Sequence, residues 1–247
     1  MIVGALLDLG ASKEKLLKAL DSIPAKGYKI EIKKIEKSGI AVTDFNVILD
    51  EMHENHDHDN NYLHGESDIK HHDHYHRNLE DIKEIIDKTA INDNTKNIAK
   101  KIFTILAEAE SKAHNKKIEE VHFHEFGAID SIIDIISIAF CIDDLKIKEV
   151  IPSILYEGTG TIRCRHGIIP VPAPATLNII EKYNLVMHQT DTQGELVTPT
   201  GASALAALKT KEKLPLKYKV LKIGMGSGKR NYQTSGILRV MIIEEEK

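Results

Sequence analysis

Cysteine is scarce in this chain: only Cys141 and Cys164 occur among its 247 residues. Both lie in apolar segments and neither belongs to a CxxC pair, so neither a disulfide framework nor a structural zinc cluster is expected. Free thiols are typical of a reducing compartment. The sequence therefore predicts a cytoplasmic protein.

Long apolar runs and basic stripes are also missing. No stretch of about 18 apolar residues occurs, and the apolar start at residues 1–9 carries Asp8 and no basic region, unlike a membrane span or a signal peptide. The formal net charge is only −4, so neither nucleic acid nor a membrane surface is an expected partner. The 42% of hydrophobic residues suffices for a core. We predict a soluble protein that recognises its partners through a localised binding site.

Local patterns predict an α/β fold, with α+β as the alternative, in which helices flank a mixed sheet. The first 20 residues favour two helices separated at Leu9-Gly10, with Ser12 capping the second. Alternating apolar residues around Ser38-Gly39 predict a hairpin. Residues 128–145 are apolar enough for a buried helix. Other helices are predicted at 78–89, at 95–113 and from Pro174 and Thr200, and strands at 121–124, 150–155, 161–164, 185–188, 218–224 and 237–244.

Residues 51–77 have few apolar side chains and contain eight of the thirteen histidines, with seven carboxylates. Neutral imidazole binds Ni, Cu and Zn, and acidic neighbours favour a dication. The irregular spacing fits no fixed tetrahedral site, so we predict a flexible insertion that captures metal at several weak sites, with a solvated linker as the alternative. The predicted ligands are His53, His56, His58, His64, His71, His72, His74 and His76.

A second group of metal-ligating residue types follows at residues 122–134. His122 and His124 are two apart, so a strand would direct both imidazoles to one ion. Asp130 and Asp134 are four apart and share one face of the predicted buried helix, where a carboxylate pair needs a metal, a cation or histidines. The alternative is an acid in the first helical turn plus a buried ion pair. We predict a mixed histidine and carboxylate metal site.

Residues 198–202 could hold a phosphate-bearing ligand. They enter an apolar helix, so free backbone N–H groups and the Thr200 hydroxyl could face an anion, and Gly201 would let it approach. The alternative is that Thr198 or Thr200 only caps the helix.

Two further loops carry weaker ligand signals. Arg163 and His166 give a positive edge to the proline-rich stretch at 166–174, although loop rigidity explains the prolines equally well. The glycine-rich stretch at 224–230 lacks the spacing of a phosphate-binding loop. Arg163 and His166 therefore join the predicted ligand-binding residues.

Together these stretches resemble the nickel insertion protein family of the nickel-pincer cofactor pathway. They occur in the family's order over nearly the whole chain and are more specific together than any one alone. The matching stretches are GALLDLG at 4–10, the histidine-rich insertion, VHFHEFGAIDSIIDI at 121–135, GTG at 158–160, HGIIPVPAPAT at 166–176, GELVTPTGAS at 194–203 and IGMGSG at 223–228.

The resemblance implies a lyase-type enzyme that inserts Ni(II) into pyridinium-3,5-bisthiocarboxylic acid mononucleotide. The step would require CTP with Mn or Mg, would form two Ni–S bonds and one Ni–C bond, and would serve lactate racemase-like enzymes. Nickel replaces a pyridinium C–H proton, so a base must accept that proton, and His124 or Glu125 is the predicted base.

The chain also departs from the family pattern. Met1-Ile2 stands where the family's starting strand and glycine-rich loop would end. We predict one domain over residues 1–247, with the family's C-terminal domain absent and encoded separately as a partner. A homo-oligomer is compatible with this organisation.

Two other functions remain open from the sequence. A passive nickel chaperone or storage protein would use only the histidine-rich insertion, with many weak sites and no nucleotide dependence. A metal-dependent hydrolase built on the second group of ligands ranks last, because no metallohydrolase motif spans the rest of the chain.

Overall fold

A computed structural model of the chain describes residues 1–50, 77–121, 129–164, 167–230, 232 and 234–246. Its helices are α1 (Ile2–Leu9), α2 (Lys13–Leu20), α3 (Leu79–Lys88), α4 (Asp93–His114), α5 (Ile129–Asp144), α6 (Pro174–Lys182) and α7 (Pro199–Leu208), with a 3-10 turn at Ile118–Glu120. Its strands are β1 (Tyr28–Lys37), β2 (Ile40–Leu49), β3 (Leu155–Thr159), β4 (Thr161–Cys164), β5 (Gly167–Pro170), β6 (Met187–Gln193), β7 (Tyr218–Ser227) and β8 (Ile237–Glu245). Within these ranges no helix is long and apolar enough to cross a membrane.

The main sheet joins two antiparallel hairpins in the order β1-β2-β7-β8. β1 pairs with β2 around the turn at Ser38, and β7 pairs with β8. The hairpins meet where β2 runs parallel to β7, in the register Thr43↔Gly226. Two smaller pairs lie outside this sheet, parallel β3 with β6 and antiparallel β4 with β5. The predicted α/β class with a mixed sheet is therefore confirmed.

The core lies between this sheet and the helices. α1 packs on β2 and β7 and contacts α5, while α4 contacts α5, α6 and α7. Ten residues of α5 are buried, as its apolar sequence predicts. Phe103 of α4 and Ile132, Ile133 and Ile136 of α5 are all buried to 1% exposure or less. α5 is thus held firmly, with its first turns beside α1.

α1 lies directly on the backbone of β2 and β7 because three glycines leave room for it. A Cβ on Gly4 would lie 2.3 Å from the Thr43 carbonyl oxygen, and one on Gly224 would lie 2.1 Å from the Ala5 carbonyl oxygen. A Cβ on Gly226 would lie 2.4 Å from the Ala5 nitrogen. The glycines of the 223–228 stretch therefore pack against a helix, and the strand they belong to continues to Ser227.

Caps account for where the predicted helices begin. The Ser12 hydroxyl accepts a hydrogen bond from the Lys15 N–H at 3.3 Å at the start of α2. Asn78 and Asp81 form a reciprocal capping box at the start of α3, with hydrogen bonds of 2.9 and 3.0 Å. The predicted helix boundaries agree with the structure within a few residues because these side chains satisfy the first free N–H groups.

The strand predictions fail mainly where polar and apolar residues mix. A strand at 150–155 is wrong: Pro152, which has no N–H for a ladder, interrupts it, and β3 begins at Leu155. The strand predicted at 185–188 overlaps only the start of β6, whose remaining residues are mostly polar. The proline-rich stretch after residue 166 contains a further strand, β5. Val121 is not in a strand, and the rest of the predicted strand at 121–124 lies outside the described residues.

Candidate functional site

The start of α5, the second half of β2, the end of β7 and the start of α7 line one cavity of about 1510 Å³. That volume exceeds the roughly 300–1,000 Å³ typical of small-molecule sites, so a nucleotide and an ion could occupy it together. The predicted site residues that the structure describes all line this cavity. They are Asp130, Asp134, Arg163, Thr198, Thr200 and Gly201.

The other predicted site residues lie outside the described residues, so their positions stay predictions. They are His53, His56, His58, His64, His71, His72, His74, His76, His122, His124, Glu125 and His166. In the part of the chain that is described, no three His, Cys, Asp or Glu side chains gather as a metal site. The described residues thus supply a carboxylate pair to the cavity, but a complete set of metal ligands would need other groups.

The carboxylate pair lies in the first two turns of α5. Burial raises the pKa of Asp134 from its ordinary 3.8 to about 6, and the neighbouring charge of Asp130 acts in the same direction. The amino group of Met1 and the ammonium of Lys229 oppose this rise in pKa. A buried carboxylate of this kind gains from any cation that enters the cavity.

Two charged residues of this region were missed from the sequence. Asp44 is 8% exposed in β2 and accepts a hydrogen bond from the Ser227 hydroxyl at 3.2 Å. Lys229 follows β7 and donates to the Asn46 side chain. Burial lowers the pKa of Lys229, and the charges of Asp134, Asp44 and Asp130 act in the opposite direction. An aspartate inside a mostly apolar strand was the sequence signal for Asp44.

The start of α7 is capped by its own residues. The Thr198 hydroxyl accepts a hydrogen bond from the Gly201 N–H at 3.2 Å, and the Thr198 carbonyl accepts one from the Ala202 N–H at 2.9 Å. Pro199 has no N–H. Thr198 therefore acts as the helix cap, the alternative considered from the sequence. Of the first-turn amides, the Thr200 N–H is the one with no acceptor among the described residues.

A charged network supports the loop before α7. Arg230 donates to the Glu195 carboxylate at 2.9 Å, and the Tyr232 hydroxyl donates to the Glu195 carbonyl at 3.1 Å. Glu195 is 6% exposed, so this ion pair is largely shielded from water. All three residues line the cavity, and sequence reasoning missed them because each pairs across a long stretch of chain.

Comparison with known proteins supports the resemblance noted from the motifs. A family model described as nickel insertion protein matches residues 1–247. The chain is similar to proteins named pyridinium-3,5-bisthiocarboxylic acid mononucleotide nickel insertion protein from three bacteria. The identity is 49% for Alkaliphilus metalliredigens, with 100% of this chain and 58% of the relative covered. It is 41% for Acetivibrio thermocellus, with 98% and 56% covered, and 39% for Akkermansia muciniphila, with 100% and 58% covered.

The chain thus spans less than three-fifths of the length of these curated relatives. No solved structure matches it.

Proposed function

Because the chain belongs to the nickel insertion protein family, we propose that it binds Ni(II) and inserts it into pyridinium-3,5-bisthiocarboxylic acid mononucleotide. The observation that carries this proposal is the match to the family model over all 247 residues. A cavity large enough for the nucleotide, with a carboxylate pair on its wall, supports it.

The reaction exchanges a carbon-bound proton for a metal ion. Ni(II) forms one bond to the pyridinium carbon and one to each of the two thiocarboxylate sulfurs, and the displaced C–H proton passes to a base. Asp130 and Asp134 would hold the incoming Ni(II) through carboxylate oxygens. His124 or Glu125, a few residues before α5, would accept the proton.

The nucleotide would lie toward α7. Thr200 and Arg163 both line the cavity, and a free N–H at a helix start favours a phosphate oxygen. We propose that CTP, with Mn or Mg, is required for the step, and that Gly201 allows close approach of a phosphate. We propose that the step takes place in the cytoplasm, with a lactate racemase-like enzyme as recipient.

A single incubation tests the function: purified protein, Ni(II), CTP with Mg, and the dithiolated precursor, followed by mass spectrometry for the metallated nucleotide. In the same assay, His124→Ala is expected to lower metallation by more than about 100-fold, because the ring can act as base or ligand. Nickel bound to the histidine-rich insertion should persist in this variant. Wild-type rates from His124→Ala would remove this residue from the mechanism.

Passive nickel binding is the second candidate, favoured by the histidines of residues 51–77. We expect deletion of residues 53–76 to remove most weakly bound Ni(II) at neutral pH, as measured by calorimetry. The melting temperature should stay nearly constant, since the segment offers few apolar side chains. Unchanged nickel stoichiometry would make the segment a linker, and loss of all nucleotide metallation together with the weak sites would favour direct delivery from the segment.

The pH dependence of this weak binding follows from imidazole chemistry. An imidazole must be neutral to ligate, and its ordinary pKa is about 6.5. Binding to wild type should therefore weaken below about pH 6, whereas the deletion variant should show a much smaller pH dependence at low affinity.

A further inference from the structure

Glu157 makes an unusual set of contacts at the buried side of the cavity wall. It lies in β3 with 0% exposure, and one carboxylate oxygen, Oε1, accepts three backbone hydrogen bonds. The donors are the N–H groups of Gly158 at 2.7 Å, Leu196 at 2.7 Å and Val197 at 3.2 Å. The side chain thus ties β3 to a loop almost 40 residues later in the chain.

That loop forms the wall of the cavity from Glu195 to Gly201. It carries the Glu195–Arg230 ion pair at one end and the Thr198 cap of α7 at the other. Leu196 and Val197, the two residues held by Glu157, lie between them. The two amides that precede the α7 start therefore share a single buried carboxylate oxygen as their acceptor, while the Val197 carbonyl accepts a hydrogen bond from the Thr176 hydroxyl at 3.3 Å.

The surrounding backbone leaves little freedom for this arrangement. A Cβ on Gly158 would lie 1.8 Å from the Gly194 carbonyl oxygen, so β3 and the loop approach more closely than any larger residue allows. The second carboxylate oxygen of Glu157, Oε2, is buried and has no hydrogen-bond partner among the described residues. Burial of a carboxylate is costly, and an apolar residue would avoid that cost. A glutamate at this position therefore indicates that its carboxylate is needed as a hydrogen-bond acceptor.

We propose that Glu157 is a positioning residue for nickel insertion: by holding the Leu196 and Val197 amides it fixes the start of α7, and thereby the nucleotide-binding wall of the cavity that Asp130 and Asp134 also line. The inference rests on the proposed function. Glu157 does not itself line the cavity among the described residues, so it acts through the loop and is not expected to touch the substrate.

Two neutral variants of similar size separate the acceptor from the charge. Glu157→Gln keeps a carbonyl oxygen that can accept from the same amides, whereas Glu157→Met removes the acceptor and keeps an extended apolar side chain. Glu157→Asp keeps the charge but moves the acceptor oxygen away from the amides, because the side chain is one methylene group shorter. Glu119→Gln, on an exposed glutamate of the 3-10 turn, is the matched control.

Amide hydrogen exchange on the full chain gives the first readout. We expect Leu196 and Val197 to exchange at least about tenfold faster in Glu157→Met, and near the wild-type rate in Glu157→Gln and Glu119→Gln. Amides of α4 should keep their protection in all variants, which shows that the core is intact. If Glu157→Met does not fold, faster exchange at the same two amides in Glu157→Asp is the expected result, and unchanged exchange there overturns the proposal.

Insertion kinetics give the second readout. Glu157→Met is expected to raise KM for the mononucleotide about tenfold with kcat within about threefold, and Glu157→Gln to restore KM. Unchanged KM in a variant whose loop amides have lost protection would overturn the positioning role. If wild type inserts no nickel, the proposed function fails. In that case, calorimetry measures how tightly the mononucleotide binds to the same variants. A wild-type affinity in Glu157→Met overturns the inference.

Discussion

Replacing Asp134 with asparagine is expected to lower nickel insertion by more than about 100-fold, because the amide removes a charged metal ligand without changing the size of the side chain. The substitution leaves the shape of the cavity intact, since asparagine is isosteric with aspartate. The rate of formation of the metallated nucleotide, followed by mass spectrometry, measures the effect. Activity near that of wild type would exclude Asp134 from the nickel site.

The same substitution is expected to stabilise the fold. The pKa of Asp134 is raised from 3.8 to about 6 in the folded protein, mainly by burial, so the native state binds more protons than the unfolded state between these values. The stability that the Asp134 carboxyl contributes to the folded state is therefore lost as pH rises through about 6. A pKa difference of about 2 corresponds to about 3 kcal/mol, so Asp134→Asn should gain up to about 3 kcal/mol above pH 7.

Urea unfolding at several pH values tests this sign. The advantage of Asp134→Asn over wild type should shrink as pH falls below about 6 and vanish toward about pH 3, where the wild-type carboxyl is protonated in both states. Asp143→Asn is the matched control on the same helix. Despite opposition from burial, hydrogen bonds from Asn92 and Asn94, each 2.6 Å long, lower the pKa of Asp143. That variant should lose about 1 kcal/mol at pH 7, and a gain in both variants would contradict the electrostatic argument.

Gly224→Ala is expected to destabilise the protein by about 3 kcal/mol or more, because the added methyl group meets main-chain atoms that cannot rotate away. Its Cβ would lie 2.1 Å from the Ala5 carbonyl oxygen and 2.8 Å from the Leu9 nitrogen. α1 would have to move off β7. For a chain of this length the melting temperature should fall by about 6–12 °C.

Gly201→Ala separates this effect from the general consequence of replacing glycine. A Cβ there would contact only the Thr198 hydroxyl oxygen, at 3.4 Å. Alanine is favoured over glycine within a helix by up to about 1 kcal/mol, so stability should be unchanged or slightly higher. Equal melting temperatures for Gly224→Ala and wild type would show that the close approach of α1 is not required.

The sequence predicts those parts of the fold that are set by nearby residues. Ser12 and Asn78 cap helices through side chains three residues from their donors, and the apolar run after residue 128 specifies a buried helix. Strands were harder to place, because β6 is largely polar and its partner β3 is more than 25 residues away. Pairing at that distance has no local signature.

The candidate site shows the same division. The spacing of Asp130 and Asp134, and the place of Thr198 before an apolar helix, led to residues that line the cavity, while their roles stay predictions. Glu157 and Lys229 could not be identified in this way, since their importance depends on partners that folding brings from distant segments. The glycines at 224 and 226 were set aside as a phosphate-binding stretch, and their packing against α1 had no sequence signal, because a glycine-rich stretch looks alike whether a helix or a phosphate approaches it.

The parallel pairing of β2 with β7 at Thr43↔Gly226, here called the seam, has a consequence for the order of folding. Each hairpin of the main sheet pairs strands that are close in sequence, so both hairpins can form early. Pairing at the seam closes a loop of more than 180 residues, and because closing so long a loop costs more conformational entropy, the seam is expected to form late. Asp44 and Ser227 adjoin the seam and are hydrogen-bonded across it. We therefore expect this wall of the cavity to assemble in the last stage of folding, after the hairpins have acquired protection from exchange.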